Sequence, residues 1–416
     1  MNSIAAMPNT ANTPDLDAVR AAFPALQTEV HGHQVAYFDN AATAQKPQVV
    51  LDRIDQYYRQ ENANVHRGVH TMSQLATDAY EGARERMASF LGASDSREII
   101  FTRGTTEAIN LVASSFGRSF GPGDEIIVSA MEHHSNIVPW QLLCERTGAR
   151  LQVVPVTEDG ELDIEEFRIL LNARTRLVAL VHVSNSLGTI NPVRRIITDA
   201  HGLGVPVLLD GAQATPHAPV NVQELDVDFY CLSSHKMFGP TGVGVLYGKA
   251  EHLEAMPPWQ GGGDMIEEVS FTGTTFNEIP HKFEAGTPNI AGVIGMAAAA
   301  DYLETLGWSW IKQQEQDLLA YATTQLSGIE GLRIIGTAPK KAAVLSFLVG
   351  ATHPYDVGSV LDRLGIAVRT GHHCTQPLMT QYGIPGTVRA SFAFYNTRPE
   401  IDRLAEGLRR AAQMLA

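Results

Sequence analysis

The chain is poor in cysteine, modest in charge, short of basic residues and without a long apolar run. Cys144, Cys231 and Cys374 are its three cysteines in 416 residues. An odd number set so far apart supports neither a disulfide framework nor a paired CxxC metal site. That usage suits a reducing compartment, and the expected location is the cytoplasm. No apolar run approaches the roughly 18 residues that a membrane span needs. The opening residues 1–8 have neither the basic start nor the apolar centre of a secretory signal. Charged residues are 18%, with 31 Lys plus Arg against 45 Asp plus Glu and a net charge of −14. Such a field repels phosphodiester backbones, so neither nucleic acid nor a membrane is an expected partner, and any phosphate must be held by a local site.

What the chain does have is apolar content, 44% of its residues, enough for the cores of two or three domains at roughly 150 residues each. From Tyr37 to Tyr247 short β-branched runs alternate with helical patterns, which predicts a mostly parallel sheet with helices on both faces. Strands are expected at 99–101, 126–128, 151–154, 177–183, 205–209 and 229–232. A helix is expected over 73–91, with Leu75, Ala79, Ala83, Met87 and Phe90 as its buried stripe. The rhythm breaks near 257–263, and the Gly, Thr and Pro-rich passage that runs to 288 reads as irregular, of the kind that is functional or meets a neighbour. Beyond it, helical patterns near 291–306, 308–326, 356–364 and 399–415 surround a strand at 344–349. The expected organisation is therefore a large domain over 27–298 and a smaller α+β domain over 299–416. Residues 15–26 join the smaller domain, and 1–14 form a loose tip.

The unusual polar residues follow predicted strands. Thr105 and Thr106, His133, Asn185, Asp210 and Gln213, and Ser233, His235 and Lys236 each come just after one, and in open parallel sheets ligands bind outside the carboxyl ends of the strands. Each cluster also has a plainer explanation. Gly104-Thr105-Thr106 can cradle a phosphate on a helix start or simply cap that helix. Asp210-Gly211 can be a turn, or its carboxylate can hold a protonated pyridine nitrogen. Lys236 can be a solvated cation, or an amine of lowered pKa suited to a Schiff base. In Arg369-Thr-Gly-His-His-Cys374 the thiol can be inert, or its thiolate can be favoured by the neighbouring imidazoles and Arg369. Arg389 can be a surface charge or a fork that grips a carboxylate. His66 and His70 have helical metal-ligand spacing but lack the Glu of a zincin and carry Gly68 between them, so no metal is expected.

Together the residues resemble a known family. Tyr37-Phe-Asp-Asn-Ala-Ala-Thr43, Val65-His-Arg-Gly-Val-His70, Arg103-Gly-Thr-Thr-Glu107, Met131-Glu-His-His134, His182-Val-Ser-Asn185, Asp210-Gly-Ala-Gln213, His235-Lys236, Phe283-Glu-Ala-Gly-Thr-Pro-Asn289 and Arg369-Thr-Gly-His-His-Cys374 are similar to the motifs of SufS-type cysteine desulfurases in the class V aminotransferase group. The resemblance runs from about Val19 to the end; Ser234 departs from it, standing where many relatives have Gly. It implies a fold type I pyridoxal-phosphate-dependent transferase. Lys236 would hold pyridoxal 5'-phosphate as a Schiff base, His133 would stack on the ring, Asp210 would meet the pyridinium nitrogen and Gln213 the ring hydroxyl. Thr106, Ser233 and His235 would hold the phosphate, with Thr287 reaching over from the other subunit of a homodimer. Asn185 and Arg389 would orient the substrate, and His66 would line the site. Lys236, His133 and Cys374 would carry the chemistry. L-cysteine would give L-alanine and a Cys374 persulfide, handed to an acceptor protein of the SufE or SufU kind and so to iron–sulfur cluster assembly. Selenocysteine lyase activity on the same scaffold is the nearest alternative.

Overall fold

The structure is a computed structural model that describes residues 14–415, so the expected loose tip lies, except for Pro14, outside the described residues. Seven strands form the main sheet: β1 (Ile99–Thr102), β2 (Glu125–Ser129), β3 (Arg150–Val154), β4 (Thr175–Val181), β5 (Val207–Asp210), β6 (Phe229–Ser233) and β7 (Gly244–Gly248). Their order across the sheet is β1-β7-β6-β5-β4-β2-β3. Only β7 runs against the others, antiparallel to both β1 and β6, so the loops leaving β1, β2, β4, β5 and β6 all emerge at one edge. The central strands are buried on both faces, as helices packed on either side require. In β4, for example, Leu177 to Val181 are at most 2% exposed.

The first six strands lie where the sequence rhythm places them. The seventh is not among the expected strands. It begins at Gly244, where a Cβ would sit 2.4 Å from the Leu232 carbonyl oxygen and 2.6 Å from the Gly104 Cα. Glycine is what lets β7 slide between β1 and β6.

Helix α1 (Thr71–Leu91) is capped by the His70 ring, whose Nδ1 accepts from the Ser73 N–H at 3.2 Å, and it ends on Gly92 at φ 64°. Its buried stripe runs through Ala76, Tyr80, Ala83, Met87 and Leu91, while Leu75 is 51% exposed. Of the expected stripe Ala83, Met87 and Phe90 are buried, and only its N-terminal end departs, where Ala76 rather than Leu75 turns inward.

A second, four-stranded antiparallel sheet comprises Leu332–Ile335, Val344–Val349, Thr387–Ser391 and Arg369–Gly371, in that order. It packs with helices Trp308–Ser327, Pro354–Asp362 and Arg398–Leu415 around its own core. The N-terminal stretch attaches here. Arg20 pairs with Glu400 at 3.0 Å, and Ala36–Tyr37 runs parallel to Ile366–Ala367. The position 298/299 falls inside helix Ile290–Leu306. The passage over 257–288, expected to be irregular, contains an exposed hairpin of Ile266–Ser270 and Gly273–Phe276. Among the described residues no helix is long and apolar enough to cross a membrane.

Candidate active site

Helix α2 (Thr105–Ser115) starts directly after β1, on Gly104 at φ 146°, a residue with no side chain to cap it. Simple capping by Thr105 or Thr106 therefore does not account for this turn. The Thr105 N–H and hydroxyl both meet Ser233 Oγ, each at 2.9 Å. Thr106, Ser233 and His235 line a cavity of about 490 Å³ over this helix start, with Asn110 and Trp259 on its wall. Free N–H groups and hydroxyls at the positive end of a helix make a phosphate site.

An adjoining cavity of about 260 Å³ is lined by His133, Asn185, Asp210, Lys236, Cys374 and Arg389, among others. Asp210 closes β5. One carboxyl oxygen accepts the Ala212 N–H at 3.0 Å, and no hydrogen bond among the described residues reaches the other. Burial raises its pKa, with Lys236 pulling the other way. Lys236 sits in the short turn after β6, and burial brings its amine down to about 8 against the opposing pull of Asp210. A solvated surface lysine is excluded. His133 is held down at about 3, first by burial and then by Lys236, so its imidazole is neutral. Its Nδ1 accepts the Ser135 N–H at 3.1 Å. Gln213, buried, is absent from the cavity lining, and its amide donates to the carbonyl of Ala41, which does line it, at 2.6 Å.

Arg389 comes from the middle of strand Thr387–Ser391 in the smaller sheet and is 1% exposed. It donates to Asp39 at 3.0 Å and to the Asn185 carbonyl at 2.9 Å, while its Nε has no partner among the described residues. Burial lowers its pKa to about 10, with Asp39 supporting the charge. Asp39 also faces Arg369 at 3.8 Å. It is not among the expected site residues, although it lies within the Tyr37-to-Thr43 motif. An acid two residues past a two-residue strand gives no sign of a partner 350 residues away. Asn185 donates its amide to the His373 carbonyl at 2.7 Å and leaves Oδ1 without a protein partner. Buried polar atoms left open in this way mark a place built to receive a ligand. Cys374 is half-buried and lines the cavity, so it is not a core thiol.

Two expected residues lie elsewhere in the chain. His66 pairs with Glu81 at 2.8 Å and packs edge-on to Tyr80 and His281. Thr287 lines a separate cavity of about 570 Å³ with Tyr80 and Glu284. Within one chain neither joins the Lys236 cavity, yet the two occupy one neighbourhood. Glu284 ties it together through Arg84 at 2.7 Å, the Tyr80 hydroxyl at 3.1 Å and the Phe101 N–H at 2.7 Å.

A helix start after a glycine, a buried carboxyl with an open oxygen, a neutral imidazole and an amine of lowered pKa are groups of the kinds suited to the phosphate, ring nitrogen, ring face and aldehyde of pyridoxal phosphate. With the sheet order above, they define a fold type I pyridoxal-phosphate-dependent enzyme. The family model of the class-V aminotransferases matches residues 36–404. The chain belongs to that family, on the side of the cysteine desulfurases. It is 53% identical to the cysteine desulfurase of Pectobacterium atrosepticum over 402 residues, 96% of this chain and 98% of that protein. To the cysteine desulfurase of Escherichia coli O127:H6 it is 52% identical over 405 residues, 97% and 100% of the two chains. Among solved structures it superposes on the cysteine desulfurase CsdA of Escherichia coli, in an S-sulfonic acid form, with a TM-score of 0.90, 43% identity, and 97% and 100% of the chains covered. A lysine-to-alanine mutant of C-DES with glycine covalently linked to its PLP cofactor gives a TM-score of 0.81 at 25% identity, over 96% and 99% of the chains.

Proposed function

We propose that the chain removes sulfur from L-cysteine, leaving L-alanine and a persulfide on Cys374. The observation that carries this reading is the convergence of Lys236, Asp210, Arg389 and Cys374, drawn from both sheets, on one cavity. Pyridoxal phosphate would be attached at Lys236, with its phosphate over the start of α2 against Thr106, Ser233 and His235. Asp210 would face its ring nitrogen, Gln213 its ring hydroxyl and His133 its ring face. When bound, it supplies the electron sink for breaking bonds at the substrate's α-carbon. A cationic ring nitrogen would also give the buried Asp210 a counter-charge.

The remaining steps belong to the protein. Arg389 and the open Asn185 oxygen hold the carboxylate and amino end of the substrate. The Lys236 amine, which burial brings down to about 8, takes the α-proton and later delivers a proton to the β-carbon, and a second proton returned to the α-carbon completes L-alanine. Cys374 sulfur attacks the substrate sulfur. The S–S bond forms as the C–S bond breaks, the electron pair stays on carbon, and protonation there gives the methyl group of alanine. Sulfur thus moves as a neutral atom, with no external oxidant. The persulfide then passes to an acceptor protein of the SufE or SufU kind, which feeds iron–sulfur cluster assembly.

The placement of His66 and Thr287 favours a homodimer. Both lie in one neighbourhood beside an open cavity, and a second copy presenting that face to the Lys236 cavity would bring Thr287 to the phosphate and His66 to the site. We also propose the division into 27–298 and 299–416, with helix Ile290–Leu306 as the shared connection. A cytoplasmic location is supported by three thiols that form no disulfide.

The test is product stoichiometry. Purified holoenzyme under reductant should release alanine and sulfide from L-cysteine in equal amounts and no keto acid. A keto acid with little alanine would replace this reading with transamination or elimination.

A further inference from the structure

The loop that carries Cys374 holds two consecutive non-glycine residues in the left-handed region, His373 at φ 53° and Cys374 at φ 57°. L side chains avoid that region, and such a pair persists only where the surroundings hold it. Asn185 holds the His373 carbonyl at 2.7 Å, and the buried His373 ring meets the Thr387 hydroxyl at 2.7 Å. The Thr375 hydroxyl closes back on the His372 carbonyl at 2.8 Å. Two further contacts come from a single residue of the large domain, in the short turn after β2. The backbone N–H of His134 donates to the Cys374 carbonyl at 2.8 Å. Its ring Nε2 accepts the Gln376 N–H at 3.1 Å.

His134 therefore grips the loop at two points immediately after the residue that carries the thiol. It differs in this from His133, which lines the cavity and turns its Nδ1 toward Ser135; His134 is absent from the cavity wall. Accepting a backbone N–H requires an unprotonated Nε2. Burial, with His372 nearby, lowers the His134 pKa, which favours that form.

We propose that His134 is a positioning residue for Cys374, fixing the thiol's approach to the substrate sulfur by clamping the loop at the Cys374 carbonyl and the Gln376 amide. The proposal rests on Cys374 being the nucleophile. It does not follow from the stacking role of its neighbour, because the two imidazoles point to different partners. A ring that merely filled space here would be replaceable by another ring.

The experiment uses holoenzyme and three variants. His134→Phe keeps a ring and removes the acceptor, His134→Ala removes both without adding bulk, and His134→Gln offers a side-chain oxygen in its place. All three keep the backbone bond to Cys374. Hydrogen exchange of the Gln376 amide, read without substrate, should quicken about tenfold in the Phe and Ala variants, the factor one ordinary neutral hydrogen bond makes. It should return toward wild type in the Gln variant. With L-cysteine, kcat should fall by about tenfold in the Phe and Ala variants while KM stays within about twofold, since Arg389 and Asn185 still hold the substrate and only the attack is misaligned. Gln should restore kcat in part.

Unchanged exchange at Gln376 in both Phe and Ala variants would overturn the clamp, whatever the activity. A rise in KM with kcat unchanged, or a Gln variant as impaired as Phe, would overturn the positioning role. Should His134→Phe fail to fold, the Ala and Gln pair distinguishes the same outcomes. If Cys374→Ala keeps full sulfur removal, the nucleophile reading fails and the positioning role with it, while exchange at Gln376 still shows whether the clamp exists.

Discussion

Replacing Asp39 with Asn should destabilise the protein strongly for so conservative a change. Asp39 lies 3.0 Å from Arg389, whose side chain is 1% exposed, while Asp39 keeps 22% exposure. At that distance and an effective dielectric near 20, the attraction is about 5.5 kcal/mol. Breaking a buried pair from one side costs about 3–5 kcal/mol because a charge is left without its partner. The exposure of Asp39 places the expected loss at the low end, about 3 kcal/mol. An unfolding entropy of about 2.1 cal/mol/K per residue gives about 0.9 kcal/mol/K for a chain of this length, so the melting temperature should fall by about 3 °C. The informative control is the cycle with Arg389→Met. Once the guanidinium is gone, Asp39→Asn should do much less harm, with a coupling of about 2 kcal/mol in urea denaturation. Additive losses, or a single variant as stable as wild type, would refute the reasoning.

Two further outcomes follow from buried ionisable groups. Protein stripped of cofactor should take up pyridoxal phosphate at a rate that rises with pH and levels off above about 8, because the attacking amine of Lys236 is neutral from there upward rather than from the ordinary 10.5. A rate still climbing steeply between about pH 9 and 10 would mean an ordinary lysine. Glu132, fully buried beside Ser129 and Asn136, has its carboxyl pushed up from 4.5 to about 8 by burial. The folded state therefore binds its proton more tightly than the unfolded chain. The associated stability is whole below pH 4.5 and is lost as pH rises through 8. Glu132→Gln should flatten the fall in melting temperature between those values. An equally steep fall in that variant would show that Glu132 does not titrate there.

Much of the site is legible in the sequence because its residues follow strands, and strand ends in a parallel sheet converge by topology. Lys236 after β6, Asp210 at the end of β5 and Thr105-Thr106 after β1 need no knowledge of tertiary packing. What escapes a sequence reading depends on contacts between distant segments. β7 is a short run bounded by glycines, and its antiparallel course is decided by close approach to Gly104 and Leu232. Ala83, Met87 and Phe90 keep the side that spacing gives them, but at the start of the helix Ala76 and Tyr80 claim the buried side from Leu75, and no local pattern decides which of two adjacent apolar residues turns inward. Asp39 pairs with Arg389 across the boundary between the two sheets, and His134 meets a loop more than 240 positions later. His66 and Thr287 carry family motifs, yet their own chain keeps them from the Lys236 cavity. Motif spacing fixes no distance between them and that cavity.

The measurement that bears most directly on the account is the fate of sulfur on Cys374. Holoenzyme given L-cysteine without reductant should carry one additional sulfur atom on the peptide containing Cys374, by mass spectrometry, and none on those containing Cys144 or Cys231. Cys374→Ala should keep the visible absorbance of the bound cofactor, gain no sulfur and release no sulfide. Sulfide release by Cys374→Ala at the wild-type rate, or sulfur found on another cysteine, would contradict the account.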